Sequence, residues 1–308
     1  MVLEITQIGK ECHTGCAIFR QGGKCIMLKE GVFARVIQGG HVRAGGQIDI
    51  EETGAKTKKI SILRVTEQDK GAVEDIVVRE FSLTIVLNNQ ELVTLLCSPT
   101  ELEYLAVGFL LSQGLIKDKE DIRKMVVDVQ KGVVQVETKK AVGISLKPVL
   151  ASSGARGENF SNPQLVTAEP EAKISPQQIV SLMDNFVRSS KVFKTTGGVH
   201  SAALCNERNI LAFNDDIGRH NAIDKVFGEC LLKDIATDNS LMITSGRVSS
   251  EILLKVAKRN IPILISKAAP TDLGVRLAVD LGVTLVGFVR GKGMNVYAND
   301  WRIVADAG

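Results

Sequence analysis

Apolar and polar positions in the second half of the chain follow a regular order of strand and helix. The runs LMI, IPILI and VTLV are short and almost wholly apolar, as expected for buried strands, and the segments between them carry apolar residues at helical spacing. Strands that alternate with helices are typical of a layered α/β domain with parallel strands. We therefore predict an α/β domain over residues 176–308.

The pattern before residue 176 predicts mostly strands. Short Val/Ile runs separated by glycines indicate strands and turns near the start, and EFSLTIVLNNQELVTLLCS predicts a hairpin that turns at Asn88 and Asn89. Shifts in composition predict these parts: a β-rich fragment over 1–52, a linker over 53–59, a β-rich subdomain with one helix over 60–150, a long loop over 151–175, and the α/β domain over 176–308.

Two helices are marked by a Ser-Pro start. In SPTELEYLAVGFLLSQG we expect Ser98 to cap the helix, Pro99 to be its first residue, Glu101 to complete a capping box and Gly114 to end it. The segment that begins at Ser175 repeats this order. Its apolar residues predict one buried stripe, formed by Ile179, Leu182, Met183, Phe186 and Val187.

Composition and charge exclude several classes of protein. The net charge of the 308 residues is +3, which fits a local anion site better than a nucleic-acid surface with dense Lys/Arg clusters. No apolar stretch has membrane-spanning length, and the start of the chain has no signal-peptide pattern. Six scattered cysteines do not form a disulfide framework. We therefore expect a cytoplasmic protein that binds neither nucleic acid nor membranes.

Polar, cationic segments follow three successive predicted strands, and each segment carries one key cation: Arg247, Lys267 or Arg290. Ligands of parallel sheets bind beyond the carboxyl ends of the strands, so the three segments predict one anion-binding cleft. The alternative is a set of ordinary turns with solvated charges. The segment TSGRVSSE also offers a helix start suited to a phosphate. The candidate contacts in the first two segments are Thr244, Ser245, Gly246, Arg247 and Ser266.

The segment DDIGRHNAIDK concentrates polar groups before another predicted helix. One interpretation is structural, with Asp216 and Arg219 fixing the loop and Asn221 capping the helix. The other is that Asp216, Arg219 and His220 contact a ligand. For Asp216 both interpretations stay open, whereas for His220 we favour a ligand or proton-transfer role.

Six motifs of the chain resemble those of the formate dehydrogenase accessory sulfurtransferase family (FdhD/NarQ). They are SPTELEYLAVGFLLSQGLI, TGGVHSAAL, DDIGRHNAIDK, SGRVSSEILLK, APT, and GFVRG with MNVY, and the resemblance covers roughly residues 57–305. It implies a layered α/β domain similar to cytidine deaminases, and a homodimer.

The resemblance also implies a function. Members of this family take persulfide sulfur from a cysteine desulfurase and pass it to the molybdenum or tungsten bis(pterin guanine dinucleotide) cofactor destined for formate dehydrogenase. The cofactor is then a bound substrate, and no tightly held metal of the protein's own is implied. The family's cofactor-binding segment corresponds here to Phe288, Val289, Arg290, Gly291, Lys292 and Gly293.

His200 occupies the place of a zinc-binding His-x-Glu motif in the related deaminases. Here Ser201 and Ala202 follow it, and the paired Pro-Cys-x-x-Cys ligands have no counterpart. Zinc-dependent deamination needs both elements, so we exclude that activity and keep His200 as a candidate cofactor contact.

Residues 1–52 resemble the C-terminal half of a molybdenum-cofactor sulfurase C-terminal (MOSC) domain, along IGKECHTGCAIFRQGGKCIMLKEGVFARVIQGGHVRAGGQIDI. A whole domain of that type is a β-barrel about twice as long. The resemblance implies a partial MOSC-like β fragment connected with molybdenum-cofactor chemistry.

The thiol that carries sulfur in the family is missing from its usual loop. That loop is ASSGARGENF here, where Gly154 or Ser153 stands at the thiol position, depending on which form of the family is aligned. Cys205 is one substitute, although a buried strand cysteine is the favoured interpretation. Cys12 and Cys16 are others: they could carry a persulfide, bind a metal with His13 and the more distant Cys25, or be structural.

Three functions therefore stay open. The favoured one is a sulfurtransferase whose thiol comes from outside the usual loop or from a partner. The second is a non-catalytic chaperone that binds and delivers the cofactor. The third is a nucleotide-binding module unrelated to molybdenum.

Overall fold

The chain divides into two compact units, Met1–Glu51 and Glu52–Gly308. The computed structural model describes these residues: 2–8, 32–38, 56–139 and 172–305. Among them, no helix combines the length and the apolar character needed to cross a membrane.

In the first unit, strands β1 (Val2–Ile8) and β2 (Val32–Gln38) pair antiparallel. The predicted sites at Cys12, Cys16 and the loop of Ser153 and Gly154 lie outside the described residues. The MOSC-like interpretation and the domain boundaries therefore stay predictions.

The second unit begins with two small sheets. The first is an antiparallel ribbon of β3 (Thr57–Val65) and β4 (Lys70–Val78). The second has the order β6-β5-β8-β7 and consists of β5 (Phe81–Leu87), β6 (Gln90–Cys97), β7 (Ile122–Asp128) and β8 (Val133–Thr138). Its hairpin turns at Asn88 and Asn89, which both have positive φ, so this prediction is confirmed.

The first helix starts later than the sequence predicts. Helix α1 is Leu102–Ser112, its N-cap is Glu101 with φ +52°, and no side chain caps it. The prediction of Ser98 as the cap was wrong because the Ser98 hydroxyl accepts a hydrogen bond from the Ile217 amide instead, at 3.2 Å. The Ser98 hydroxyl oxygen is therefore bonded to the loop after β10 and does not cap the helix.

The second Ser-Pro helix starts where the sequence predicts. Helix α2 is Pro176–Ser189, and Ser175 and Gln178 form a reciprocal capping box. The predicted stripe is buried at Ile179, Leu182, Met183 and Phe186, and Val187 is half-buried.

The C-terminal part is a six-stranded mixed sheet with helices, which confirms the α/β class. Its strand order is β10-β9-β11-β12-β13-β14, and the neighbours β11, β12 and β13 are parallel. The strands are β9 (His200–Cys205), β10 (Ile210–Asp216), β11 (Leu241–Thr244), β12 (Ile263–Ser266), β13 (Thr284–Arg290) and β14 (Gly293–Ala298). The remaining helices are α3 (Lys191–Thr196), α4 (Arg219–Leu232), α5 (Ser250–Ala257) and α6 (Asp272–Asp280).

Both faces of this sheet are covered at its centre, because alternate residues of β11 and β12 enter different cores. Met242 and Leu264 pack in the core that contains α1 and α4, whereas Ile243 and Ile265 pack in the core that contains α2. A sheet buried on both faces has near-continuous apolar strands, which is the pattern seen in the sequence.

Helices α1 and α4 approach each other closely at two glycines, Gly108 and Gly228, where a Cβ atom would not fit. A Cβ atom on Gly108 would lie 1.7 Å from the Asp224 carbonyl oxygen, and one on Gly228 would lie 1.9 Å from the Tyr104 carbonyl oxygen. Helix α1 follows β6 of the four-stranded sheet, and α4 follows β10 of the six-stranded sheet. The contact between the two helices therefore connects the two sheets.

Candidate functional site

The carboxyl ends of the three parallel strands meet at one edge of the sheet, as the sequence predicts. Thr244 is in register with Ser266, and Ile265 with Val286. Beside this edge lies a cavity of about 380 Å³. Its lining includes Phe186, Val187, Ser190, Phe193, Gly197, Gly198, Val199, His200, Ser201, Ile217, Ser245, Lys267, Ala268 and Arg290.

The lining of the cavity has a cationic wall and an apolar wall. Lys267 and Arg290 come from the ends of β12 and β13, whereas Phe186 and Phe193 come from α2 and α3. The Lys267 Nζ atom lies 5.9 Å from the centre of the Phe193 ring, which is within cation–π range. Such a cavity suits a ligand with both an aromatic and an anionic part.

Thr244 and Ser266, two of the predicted contacts, have a structural role at this edge. Both are buried, and their hydroxyl groups shape the loop that follows β11. The Ser266 hydroxyl donates to the Gly246 carbonyl at 2.8 Å, and the Gly246 amide donates to the Thr244 hydroxyl at 3.2 Å. Neither hydroxyl is left free for a ligand, and both hold the Ser245–Gly246 turn in place.

His200 and Ser245 line the cavity together. The Ser245 hydroxyl accepts a hydrogen bond from the Ser201 amide at 2.9 Å and lies 3.5 Å from His200 Nδ1. Burial lowers the pKa of His200, the charge of Arg219 lowers it further, and Asp216 opposes both. The ring is therefore a neutral hydrogen-bonding group near neutral pH.

The predicted cofactor segment forms the end of β13 and its turn into β14. Only Arg290 of this segment is among the residues that line the cavity. The side chain of Val289 is 1% exposed and packs in the core, so a side-chain contact from Val289 is corrected. Phe288 has φ +53°, which is rare for an aromatic residue, and its ring lies 5.6 Å from Arg290 Cζ.

The turn itself is exposed. Gly291 has φ +56°, and Lys292 and Gly293 lie in solvent beside it. Glycine suits the left-handed conformation that this turn requires.

Asp216 is structural rather than a ligand contact. Its carboxylate is fully buried, pairs with Lys225 Nζ at 2.7 Å, and accepts hydrogen bonds from the Ser98 and Gly218 amides. Asn221 does not cap α4, since Gly218 is the N-cap, and the Asn221 side chain instead donates to Asp216. The network ties the end of β6 to the start of α4.

Arg219, Arg247 and His220 lie next to the cavity but are not among its lining residues. Burial, followed by the charges of Lys255, Arg219 and His200, lowers the pKa of His220 to about 3. Its Nε2 atom lies 3.6 Å from a Glu251 carboxylate oxygen. A ring with so low a pKa stays neutral, which does not support the predicted proton-transfer role.

The three cysteines in the described ranges are buried: Cys97, Cys205 and Cys230. Burial raises the pKa of each thiol to about 12, so all three stay protonated at neutral pH. Sulfur transfer needs a reachable thiolate. Cys205 lies in the core beside α2, which corrects its candidacy as the sulfur carrier and agrees with the alternative of a buried strand cysteine.

Sequence reasoning missed the residues that hold the apolar wall in place. The buried carboxylate of Asp215 accepts hydrogen bonds from the Ser201 hydroxyl at 2.5 Å and from the Ser190 hydroxyl at 2.9 Å. Ser190 also caps α3, which carries Phe193. Asp215 therefore ties the α2–α3 wall to the sheet. The two adjacent aspartates of NDDIG gave the only sequence signal for it.

Replacing Asp215 by alanine should lower the free energy of unfolding by about 1–3 kcal/mol, because two buried hydroxyl groups lose their acceptor. Urea denaturation measures the change. Asp280→Ala, at an exposed site at the end of α6, is the matched control and should stay within about 0.5 kcal/mol. Equal losses of stability in the two variants would contradict a stabilising role of the Asp215 hydrogen bonds.

No group of three or more His, Cys, Asp or Glu side chains within the described ranges is arranged to hold a metal ion. The fold and the site thus define a mixed α/β protein with a cationic cleft at the carboxyl edge of its parallel strands. Residues 78–304 match the FdhD/NarQ family model, and the chain belongs to that family. The family predicted from the motifs is confirmed.

Similar proteins cover most of the chain. The sulfur carrier protein FdhD of Bacillus subtilis is 41% identical over 250 residues, which are 79% of this chain and 95% of that protein. The protein of the same name from Staphylococcus aureus is 41% identical over 235 residues, or 74% and 89%. A crystal structure described as that of a formate dehydrogenase accessory protein from Desulfotalea psychrophila has a TM-score of 0.68 and 28% identity, and it covers 81% of this chain and 100% of that one.

Proposed function

We propose that this chain serves the maturation of formate dehydrogenase as a sulfur carrier. In this proposal it takes sulfur from a cysteine desulfurase and passes it to a molybdenum or tungsten bis(pterin guanine dinucleotide) cofactor, acting in the cytoplasm as a homodimer. The observation that carries the proposal is membership of the FdhD/NarQ family over residues 78–304, with relatives named as sulfur carriers.

The cavity supports the cofactor part of this proposal. Its volume of about 380 Å³ is in the range of small-molecule sites and suits one nucleotide-sized part of so large a cofactor. Lys267 and Arg290 would pair with its phosphates, and the aromatic wall would contact its ring systems. His200 and Ser245, which also line the cavity, would supply neutral hydrogen-bonding groups to the same ligand.

The sulfur step needs a thiolate on this chain. The acceptor thiolate attacks the outer sulfur of the desulfurase persulfide, a new S–S bond forms, and the desulfurase cysteine leaves as a thiolate. Burial excludes Cys97, Cys205 and Cys230 from this role. Of the three predicted carriers Cys12, Cys16 and Cys205, this leaves Cys12 and Cys16.

A second function has support of its own. The family loop has Gly154 or Ser153 where other members have a thiol, and the three described cysteines are buried. These observations favour a chaperone that binds and delivers the cofactor without carrying sulfur.

Incubation with a cysteine desulfurase and cysteine, followed by mass spectrometry, should place an added sulfur atom on Cys12 or Cys16. The double variant Cys12→Ser/Cys16→Ser should lose nearly all of this signal, and the control Cys25→Ser should keep it. If none of the six thiols gains sulfur, the chaperone replaces the carrier. A persulfide on Cys205 would contradict the role that burial assigns to that residue.

A further inference from the structure

Residues 190–199 connect α2 to β9 and form one side of the cavity. The lining includes five of them: Ser190, Phe193, Gly197, Gly198 and Val199. The middle of this segment is the short helix α3, and none of its residues is buried. We call residues 190–199 the strap. Ligand-binding lids come from the least stable parts of a fold, and few buried contacts mark such parts.

The two ends of the strap are fixed. Ser190 is 2% exposed, and its hydroxyl donates to the buried carboxylate of Asp215 at 2.9 Å. Val199 is 4% exposed and leads directly into β9. Residues 191–198, in contrast, are all partly or largely exposed. Movement of the strap is therefore confined to the residues between its ends.

A pair of glycines provides a hinge next to the second fixed end. Gly197 ends α3 with φ +65°, and its amide donates to the Phe193 carbonyl at 2.8 Å. Gly198 follows and lies close to β4, since a Cβ atom on it would be 2.9 Å from Val78 Cγ2. Glycine changes its backbone dihedral angles at little steric cost, so this turn can rearrange while Val199 stays in the core.

The contacts that hold the middle of the strap in place are individually weak. The Phe193 ring is 41% exposed, and its centre lies 5.9 Å from Lys267 Nζ. The Lys194 Nζ atom donates to the Arg188 carbonyl at 2.9 Å, at an exposed position. Exposed cation–π contacts and exposed hydrogen bonds each contribute little to stability. Breaking them to move α3 therefore costs far less than unfolding the sheet.

We propose that the strap opens and closes the cavity by swinging about its fixed ends, Ser190 and Val199. In the closed state Phe193 lies in the cavity wall beside Lys267. In the open state the Phe193 ring leaves the wall, and a ligand enters or leaves on this side. Closure over a bound ligand excludes water from the cavity. Opening is a property of the unliganded chain, and only the identity of the ligand rests on the proposed function.

Hydrogen–deuterium exchange of the full unliganded chain, followed by mass spectrometry, tests the opening. The hydrogen-bonded amides of α3, such as that of Gly197, should exchange at least about a hundredfold faster than the amides of residues 182–187 in α2. Urea below the unfolding transition should accelerate exchange in α2 and leave α3 unchanged, because opening of the strap exposes little surface. If α3 exchanges as slowly as α2 and responds to urea in the same way, the strap does not open and the proposal is wrong.

Two cations of the cavity provide a matched pair of variants. Lys267 contacts the strap through Phe193, whereas Arg290 lies beside Phe288, outside the strap. Lys267→Gln should accelerate exchange in α3 by about two- to fivefold, since it removes a contact that opening breaks. Arg290→Gln should leave this rate unchanged, and exchange in α2 reports whether each variant is folded. Equal rates in the two variants would show that the contact between Phe193 and Lys267 does not hold the strap closed.

Guanosine diphosphate, as a probe for the guanylated cofactor, tests closure over a ligand. At saturation, established by calorimetric titration, it should slow exchange in α3 by at least about tenfold, because the ligand favours the closed strap. Binding without slower exchange in α3 would refute closure by the strap and leave the proposed function intact. Failure of the diphosphate to bind would count against the cofactor part of the proposed function, whereas exchange in the unliganded chain would still decide whether the strap opens.

Discussion

Replacing Asp216 by alanine is expected to lower the free energy of unfolding by about 3–5 kcal/mol. The side chains of Asp216 and Lys225 are both fully buried, with 2.7 Å between Oδ2 and Nζ. Removal of the carboxylate leaves the ammonium group buried without a counter-charge. It also leaves the Ser98 amide, the Gly218 amide and the Asn221 side chain without this acceptor.

Urea denaturation of the purified chain measures this loss, and Asp272→Ala is its matched control. Asp272 also pairs with a cation, Arg276, but that pair is exposed, so we expect a change of no more than about 1 kcal/mol. A loss at Asp216 as small as that at Asp272 would show that the buried network contributes little to stability.

Replacing Gly108 by alanine is expected to destabilise the chain by about 3 kcal/mol or more, which is the upper end for overpacking. The added Cβ would lie 1.7 Å from the Asp224 carbonyl oxygen. That oxygen belongs to the backbone of α4 and cannot rotate away, so the two helices must separate along their contact.

Denaturation by urea, with the fluorescence of the single Trp301 as one probe, compares Gly108→Ala with Gly71→Ala. A Cβ on Gly71 would meet no atom within 4 Å, so this control should stay within about 0.5 kcal/mol of the unaltered chain. Wild-type stability of Gly108→Ala would mean that α1 and α4 do not pack as closely as described.

Local signals in the sequence predicted those elements whose hydrogen bonds are local. Ser175 and Gln178 lie three residues apart and satisfy each other, so their capping box forms as predicted. Ser98 belongs to the same kind of motif, but its polar groups bond to residues 118 and 119 positions away, which no local pattern contains. Tertiary hydrogen bonds therefore decided where α1 begins.

The candidate site likewise has residues that the local sequence predicted and residues that it did not. Lys267 and Arg290 were predictable because each follows an apolar strand, and parallel strands bring their carboxyl ends together. The aromatic wall and its tie to Asp215 were not predictable, since Ser190 and Asp215 are 25 positions apart and meet only in the folded chain. Burial likewise excludes Cys205, which was a candidate because it follows TGGVH closely in the sequence.

The link between Ser98 and Asp216 connects the cavity to both larger sheets. Ser98 directly follows β6 of the four-stranded sheet, and Asp216 directly precedes Ile217, which lines the cavity. The two larger sheets also share one hydrophobic core, because residues of both pack in one cluster with α1 and α4. We therefore expect that occupancy of the cavity by the proposed ligand protects the amide protons of both sheets against exchange with solvent.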